Sequence, residues 1–348
     1  MTVHEIAALA GVSIGTVDRV LHKRGRVSAE TKAKIEAIIE KYHFTPNPIA
    51  RGLKRKKPYR FCALIPQRNQ DEGYWTQIIN GISRAAAEIK RLGVDTEIIE
   101  FDRHDPKGFE LISAKVSAEK PDGLLFAPIM PDQTRPFIEK TTKEEIPFVF
   151  VDTDIPGTSP LCVIGQEPFK GGYLAGRLFH LFAGNVEAPI AVMNAYSGDY
   201  NTTRRRDGFL HYAETHHFSV IVKEYSDRKE FGVSEQEIRR FLGEQEELSG
   251  LFITNSMISR TALVAAERRE GNRTFVLIGY DLTPENQRLL FEGRIDAIIS
   301  QHPEEQGREA LLTLFQSVVL GQKVESKREI PLEVYIKENV PFQGTENS

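Results

Sequence analysis

The chain has 348 residues, 40% hydrophobic and 27% charged, with a formal net charge of −4. That length is more than one ordinary core needs and points to a small head with one or two larger domains. No run of 18 or more apolar residues is present, which excludes a membrane-spanning helix, and the two cysteines, Cys62 and Cys162, lie far apart in apolar runs and read as core thiols.

Residues 1–57 carry four helix starts. Thr2-x-x-Glu5 is a capping box, and Ser13-x-x-Thr16 places a second capping hydroxyl before an apolar-periodic run. Ser28 precedes the run 29–43 in the same way, and Asn47-Pro48 offers a cap followed by proline at the first helical position. Only Ala10-Gly11-Val12 separates the first two helices, and a glycine-containing turn of that length is the helix-turn-helix signature. Ile6, Ala7 and Ala10 are positioned to pack on Val17, Val20 and Leu21, leaving Ile14, Gly15, Thr16 and Arg19 to point outward. In such motifs the N-terminal residues of the second helix lie at base edges in the major groove. The charge agrees: residues 1–57 hold twelve Lys/Arg against five Asp/Glu, and the remainder 33 against 44. A basic helical module on an acidic body is the footprint of phosphate contact. The chain starts directly on a capped helix, with no charged-then-apolar leader, so a cytoplasmic protein is expected.

The run AALAGVSIGTVDRVLHKRGRVSAET, followed by FTPNPIARGLKRKK, resembles the DNA-binding head of the LacI/GalR family of bacterial transcriptional regulators. The resemblance implies that Ile14 and Gly15 occupy the base-reading positions, with Arg19 the next reader along the helix. It implies that Ser13, Thr16, His22 and Thr31 hold the phosphate backbone. Asn47, Ala50, Leu53 and Lys54 match the hinge helix, whose leucine wedges into a central base step of the minor groove and kinks the duplex. Two residues depart from the family pattern: Gly15 has no side chain to read a base, and Asp18 stands where serine is more usual.

Beyond Pro58 short apolar runs alternate with amphipathic stretches, in the manner of strands buried on both faces with helical crossovers between them. The strand-like runs are 61–65, 96–101, 123–127, 148–151, 161–164, 190–194, 220–225, 251–254, 275–280, 296–300 and 332–336. These are too many parallel strands for one sheet, so two doubly wound lobes are expected, with crossings near Pro160, Gly293 and Gly321. The predicted division is a helix-turn-helix domain over 1–46, hinge helix and linker over 47–58, and a two-lobed domain over 59–340. Its N-lobe takes about 59–160 and 293–321, its C-lobe about 161–292 and 322–340. The fold class is thus an all-α head joined to an α/β body.

Ligands of such sheets sit beyond the carboxyl ends of the strands. There the sequence places Tyr74-Trp75, Asp152, Asn255, Asp281 and Gln301, while the helix after 190–194 opens with Thr202-Thr203-Arg204-Arg205-Arg206. Acceptors for hydroxyls, a donating arginine and aromatics for an apolar ring face describe a site for a sugar or polyol, whose buried hydroxyls must each be paired. The body resembles the type I periplasmic sugar-binding-protein fold that LacI/GalR regulators use as an effector domain. By that resemblance Arg205 (in Arg205-x-x-Gly208-Phe209), Asn255, Asp281 and Gln301 are ligand contacts, Tyr74-Trp75 are the paired aromatics, and Asp152 is the acid of the fourth strand. Ala127 stands at the third strand end, where sugar binders often carry asparagine.

Gly171-Gly172-x-x-x-Gly176 lacks phosphate-loop spacing and reads as close helix packing; His211, His216 and His217 lack metal-ligand spacing, and no nucleophile elbow appears. No cofactor and no metal are expected. The expected function is a regulator that binds double-stranded operator DNA as a homodimer and is switched by a small sugar, polyol or sugar-phosphate effector. The alternative is a sugar- or nucleoside-acting enzyme with a DNA-targeting head, for which Asp152 and Asp281 would be the catalytic pair.

Overall fold

The computed structural model describes residues 1–21, 25, 27–42, 57–184, 188–194, 199–224, 235–245, 247–271 and 275–341. The chain divides into two compact units, Met1–Lys57 and Pro58–Ser348.

In the head, α1 (Val3–Ala10), α2 (Ile14–Leu21) and α3 (Ala29–Lys41) surround a core of Ile6, Ala7, Ala10, Val17, Val20 and Ile35. The capping box forms as the sequence predicts: Glu5 N–H donates to Thr2 Oγ1 (3.3 Å) and Thr2 N–H to Glu5 Oε2 (2.7 Å). Gly11 ends α1 at φ 69°, a left-handed position that costs a glycine nothing and lets the chain turn at once into α2.

The body opens with β1 (Tyr59–Pro66), a 3-10 turn (Asp71–Gly73), α4 (Tyr74–Lys90), β2 (Val94–Phe101), α5 (Pro106–Glu119), β3 (Gly123–Phe126), α6 (Pro131–Lys143), β4 (Phe148–Val151) and β5 (Cys162–Gly165). It continues through α7 (Pro168–Ala183), β6 (Ile190–Asn194), α8 (Tyr200–Thr215), β7 (Val220–Glu224), α9 (Glu235–Glu244), β8 (Gly250–Ile253), α10 (Ile258–Gly271) and β9 (Val276–Tyr280). The last elements are α11 (Pro284–Phe291), β10 (Ala297–Ser300), α12 (Pro303–Val318), β11 (Lys327–Glu329) and β12 (Glu333–Tyr335).

Two six-stranded sheets result, ordered β11-β5-β4-β3-β1-β2 and β12-β10-β9-β8-β6-β7. Among the described residues every strand pairing is parallel except β10 with β12. In each sheet the order reverses at one strand, β1 in the first and β6 in the second. A doubly wound sheet leaves its ligand crevice at that point, beyond the carboxyl ends. Glycines set the approach of the covering helices. A Cβ on Gly172 of α7 would fall 1.8 Å from the Arg205 carbonyl oxygen of α8, and one on Gly208 would fall 2.0 Å from that of Phe169. The run 171–176 is therefore a helix-packing surface.

The lobes cross at different places from those expected. β5 pairs with β4 (Phe150↔Val163) and stays in the first sheet, so the first crossing follows Gly165 rather than Pro160. No helix lies between these two strands, and that gap reads in the sequence as a change of lobe. β10 pairs with β9 in the second sheet, and the second crossing follows Ser300 rather than Gly293. Gly293, at φ 74°, and Gly321, at φ 65°, each lie just beyond a helix end, where a left-handed residue stops the helix. After Ser300 the chain enters α12, whose Ala310, Leu311, Leu314 and Phe315 belong to the first lobe's core. The third crossing comes between β11, beside β5, and β12, beside β10. Cys62 and Cys162 are buried, free thiols.

Candidate functional site

In the head, the polar residues at the helix starts serve the helices themselves. Thr16 N–H donates to Ser13 Oγ (3.2 Å) and the two hydroxyls meet at 2.9 Å; Thr31 N–H donates to Ser28 Oγ at 3.2 Å. With Val17 and Val20 turned into the core, Ile14, Gly15 and Arg19 are left exposed on α2, Ile14 at 44%. An exposed branched apolar residue at a helix start has no partner in the core and is available for contact with a thymine methyl. Nothing in the fold demands glycine at 15: an added Cβ would meet only Ser13 Oγ, at 3.8 Å. The predicted contacts His22, Asn47, Ala50, Leu53 and Lys54 lie outside the described residues.

In the body, all seven predicted ligand residues converge. Tyr74, Trp75, Asp152, Arg205, Asn255, Asp281 and Gln301 line one cleft between the lobes, joined by Asp71, Arg103, Ile129, Asp199, Asn201, Thr202 and Ser256. The cleft encloses about 40 Å³, room for a water or two and less than a pyranose ring fills, so a ligand of that size must part the lobes.

The two lobes bring their acids into the cleft by one device. Asp152 follows β4 and Asp281 follows β9, the third strands of their respective sheets counted from β11 and β12. Each takes a positive φ, 73° and 67°, and each donates its N–H to the neighbouring strand, to Ile164 O (2.8 Å) and Ile299 O (3.0 Å). A left-handed non-glycine residue costs on the order of 1 kcal/mol or more, and such strain gathers at functional sites. Here it turns a carboxylate off the end of a buried strand into the crevice.

Their surroundings differ. Asp152 accepts from Tyr74 Oη (2.6 Å) and, across the cleft, from Asn201 Nδ2 (3.3 Å). Asp281 accepts from Gln301 Nε2 (2.7 Å). Burial pushes the Asp152 carboxyl up to about 7, against the opposing pull of the Tyr74 hydrogen bond and the Arg205 charge. Burial likewise raises Asp281 to about 6, with Arg205 and Gln301 holding it down. Arg205 is only 3% exposed; its guanidinium lies 3.8 Å over the Tyr280 ring and donates to Thr254 O (2.9 Å) and Gln301 Oε1 (3.0 Å). Its neighbours point elsewhere: Arg204 lies over Phe169, and Arg206 pairs with Asp207 and Glu224. Asn255, which lines the cleft, accepts from Met257 N–H (3.4 Å), while its buried Nδ2 has no hydrogen-bond partner among the described residues.

The turn Asp71–Glu72 ties the lobes together. Both residues have positive φ, 50° and 57°. Within its own lobe the Asp71 carboxylate accepts from Trp75 Nε1 (2.6 Å) and forms a buried ion pair with Arg103. Its carbonyl accepts from Ser256 Oγ (3.0 Å) of the other lobe, and the Glu72 carboxylate accepts there from Ser259 Oγ and from Arg260 Nε (2.8 Å). One dipeptide therefore forms a wall of the cleft and bridges its two halves.

Sequence reasoning missed Asp71, Arg103, Asp199 and Asn201. The signal was present, since Arg103 stands just beyond β2, and Asp199 and Asn201 beyond β6; only the loop fold brings Asp71 back to the cleft. A broader groove of about 490 Å³, lined by Arg84, His302, Glu304 and Arg308 among others, holds none of the predicted residues. Its arginines are engaged, Arg84 with Glu304 and Arg308 with Glu88 and Glu309, and His302 Nε2 lies 3.1 Å from Glu333 Oε2.

Fold and cleft together define a two-lobed body of the periplasmic-binding-protein type, preceded in the sequence by a helix-turn-helix head. Comparison with known proteins agrees. The family model "Periplasmic binding protein domain" matches residues 62–323, and "Bacterial regulatory proteins, lacI family" matches residues 2–47. The HTH-type transcriptional regulator DegA of Bacillus subtilis is 28% identical over 177 residues, 51% of this chain and 50% of DegA. The chain thus matches about half the length of that relative. The HTH-type transcriptional repressor PurR of Klebsiella pneumoniae is 24% identical over 80% of each chain. Among solved structures, one from Bacteroides fragilis described as a LacI transcriptional regulator superposes with a TM-score of 0.75 at 28% identity, covering 82% of this chain and 99% of that one. The chain belongs to the lacI family of bacterial regulatory proteins, with a periplasmic binding protein domain as its body. No helix among the described residues is long and apolar enough to cross a membrane.

Proposed function

We propose that the protein is a transcriptional regulator that binds operator DNA as a homodimer in the cytoplasm and is switched by a small sugar, polyol or sugar-phosphate effector held between its lobes. The observation that carries this reading is the union, in one chain, of an outward-facing α2 on a basic head with a cleft whose polar side chains all turn inward. Two heads would read the halves of a pseudo-palindromic operator, since operator symmetry mirrors protein symmetry. The segment 47–58 would serve as hinge, with Leu53 as its wedge.

An effector that changes the separation of the lobes would change hinge spacing and with it operator affinity. Linkage requires only that the coupling be reciprocal, so induction and co-repression are both open to the same geometry. The enzyme alternative is less well supported. Asp152 and Asp281 are each hydrogen-bonded within the chain, and the matched relatives are regulators. Selection of duplexes from a random pool by the purified protein tests the proposal. Enrichment of a pseudo-palindrome is expected, with affinity falling steeply as salt rises; no enrichment, or salt-independent binding, would contradict it.

A further inference from the structure

Resting on that reading, we infer that the effector is a polyhydroxylated ring or polyol that carries no anionic group, so that sugar phosphates and uronic acids are excluded from the cleft. Four aspartates, Asp71, Asp152, Asp199 and Asp281, line the cleft against two arginines, Arg103 and Arg205. Both arginines are engaged within the chain. Arg103 forms a buried ion pair with Asp71, and Arg205 serves Thr254 O and Gln301 Oε1 while lying over Tyr280.

Three helix N-termini, the other common holders of phosphate, are capped by side chains; α4, which opens on Tyr74 and Trp75, has no side-chain cap, but the acidic pair Asp71-Glu72 stands just before it. Asp199 Oδ1 takes the Thr202 N–H of α8 at 2.9 Å and adds a negative charge there. Asn255 Oδ1 takes Met257 N–H before α10, and Thr283 Oγ1 takes Asn286 N–H of α11. What the wall offers a ligand is mainly carboxylate oxygen, which accepts hydrogen bonds, with Asn255 Nδ2 as a buried donor lacking a partner among the described residues. Phosphate and carboxylate groups only accept, and each would lie among like charges in a poorly hydrated space. A hydroxyl donates to a carboxylate and accepts from Asn255, which matches this wall on both counts.

The test is calorimetry and thermal melting of the full-length protein with aldopentoses, aldohexoses and inositols, each beside its monophosphate and, for the hexoses, its uronate. At least one uncharged member is expected to bind, with its charged derivatives at least 100-fold weaker. Replacing Asp199 by Asn keeps an oxygen for the Thr202 cap and removes one charge, and should narrow that ratio by about tenfold whatever it does to affinity for the parent sugar; an unchanged ratio would count against the charge argument. A phosphate or uronate that binds as tightly as its parent would overturn the inference and leave the regulator reading standing. A panel in which nothing binds would remove the effector reading, and this inference with it.

Discussion

Head and body use similar residues to opposite ends. In the head, Ser13, Thr16, Ser28 and Thr31 satisfy helix starts and the aliphatic residues fill a small core, which leaves Ile14, Gly15 and Arg19 at the surface. In the body, aspartates, arginines and amides turn inward and bond with one another across an enclosed cleft. An outward face can meet a polymer without rearrangement, by charge and by protruding side chains. An inward site cannot fill without moving its walls, so occupancy and motion are linked from the start. That contrast separates recognition from switching, and substitutions should divide along the same line.

The largest effect is expected from Gly15→Glu. The position is open, so α2 should keep its fold, but a carboxylate would face the phosphates. Operator affinity should fall about 100-fold or more, at the upper end of the ~1–3 kcal/mol of one base contact or above it. The melting shift caused by sugar should be unchanged. If gel shifts showed operator affinity retained, α2 would not be the reading helix. Asp281→Ala is the converse. Losing one buried acceptor should weaken effector binding roughly 10–100-fold, measured by calorimetry, with operator affinity in the absence of effector untouched. A normal response to effector would remove Asp281 from the site.

Glu72→Gln cuts at the link between motion and occupancy. It exchanges charge-assisted bonds to Ser259 and Arg260 for neutral ones, each roughly half as strong. Because a ligand must part the lobes against these bonds, effector affinity should rise by about tenfold, and the lobes should sit further apart in small-angle scattering. Unchanged affinity and unchanged scattering would show that the turn does not hold the lobes. The smallest effect is a pH slope. Asp152 and Asp281 are harder to ionise in the folded body than in the unfolded chain, so the folded state holds extra protons between the unfolded carboxylate pKa near 4 and the folded values of about 7 and 6. Stability is therefore highest at the acid side of that window and is lost as pH rises through it. The body should melt a few degrees higher near pH 5.5 than near pH 8, and Asp152→Asn should flatten the slope. A slope unaltered by that substitution would mean that Asp152 is not the titrating group.

Legibility in the sequence followed the range of the interactions. Capping at Thr2, Ser13 and Ser28 and the turn at Gly11 are contacts within a few residues, and the head could be read almost completely. Strands and helices of the body were visible as runs, and four of the predicted cleft residues, Asp152, Asn255, Asp281 and Gln301, share a simple rule: polar, and just beyond a buried strand. The choice of sheet for β5 and β10 was not visible, because four residues of a buried strand look alike in either lobe. Short α11 has too few turns to show a period, and exposed β11, Lys-Arg-Glu, has no apolar pattern at all. The roles of Asp71 and Glu72 depend on left-handed backbone and on partners far along the chain, at Ser256 and Arg260, which no local pattern announces.

The account depends on one coupling, and one measurement addresses it directly: the affinity of the full-length protein for its selected operator, taken with and without a saturating uncharged sugar identified by calorimetry. The two values should differ by about tenfold or more, in the 1–3 kcal/mol range of coupling between linked sites, and Asp281→Ala should abolish the difference. Equal affinities at saturation would mean that the cleft and the head share a chain but not a function.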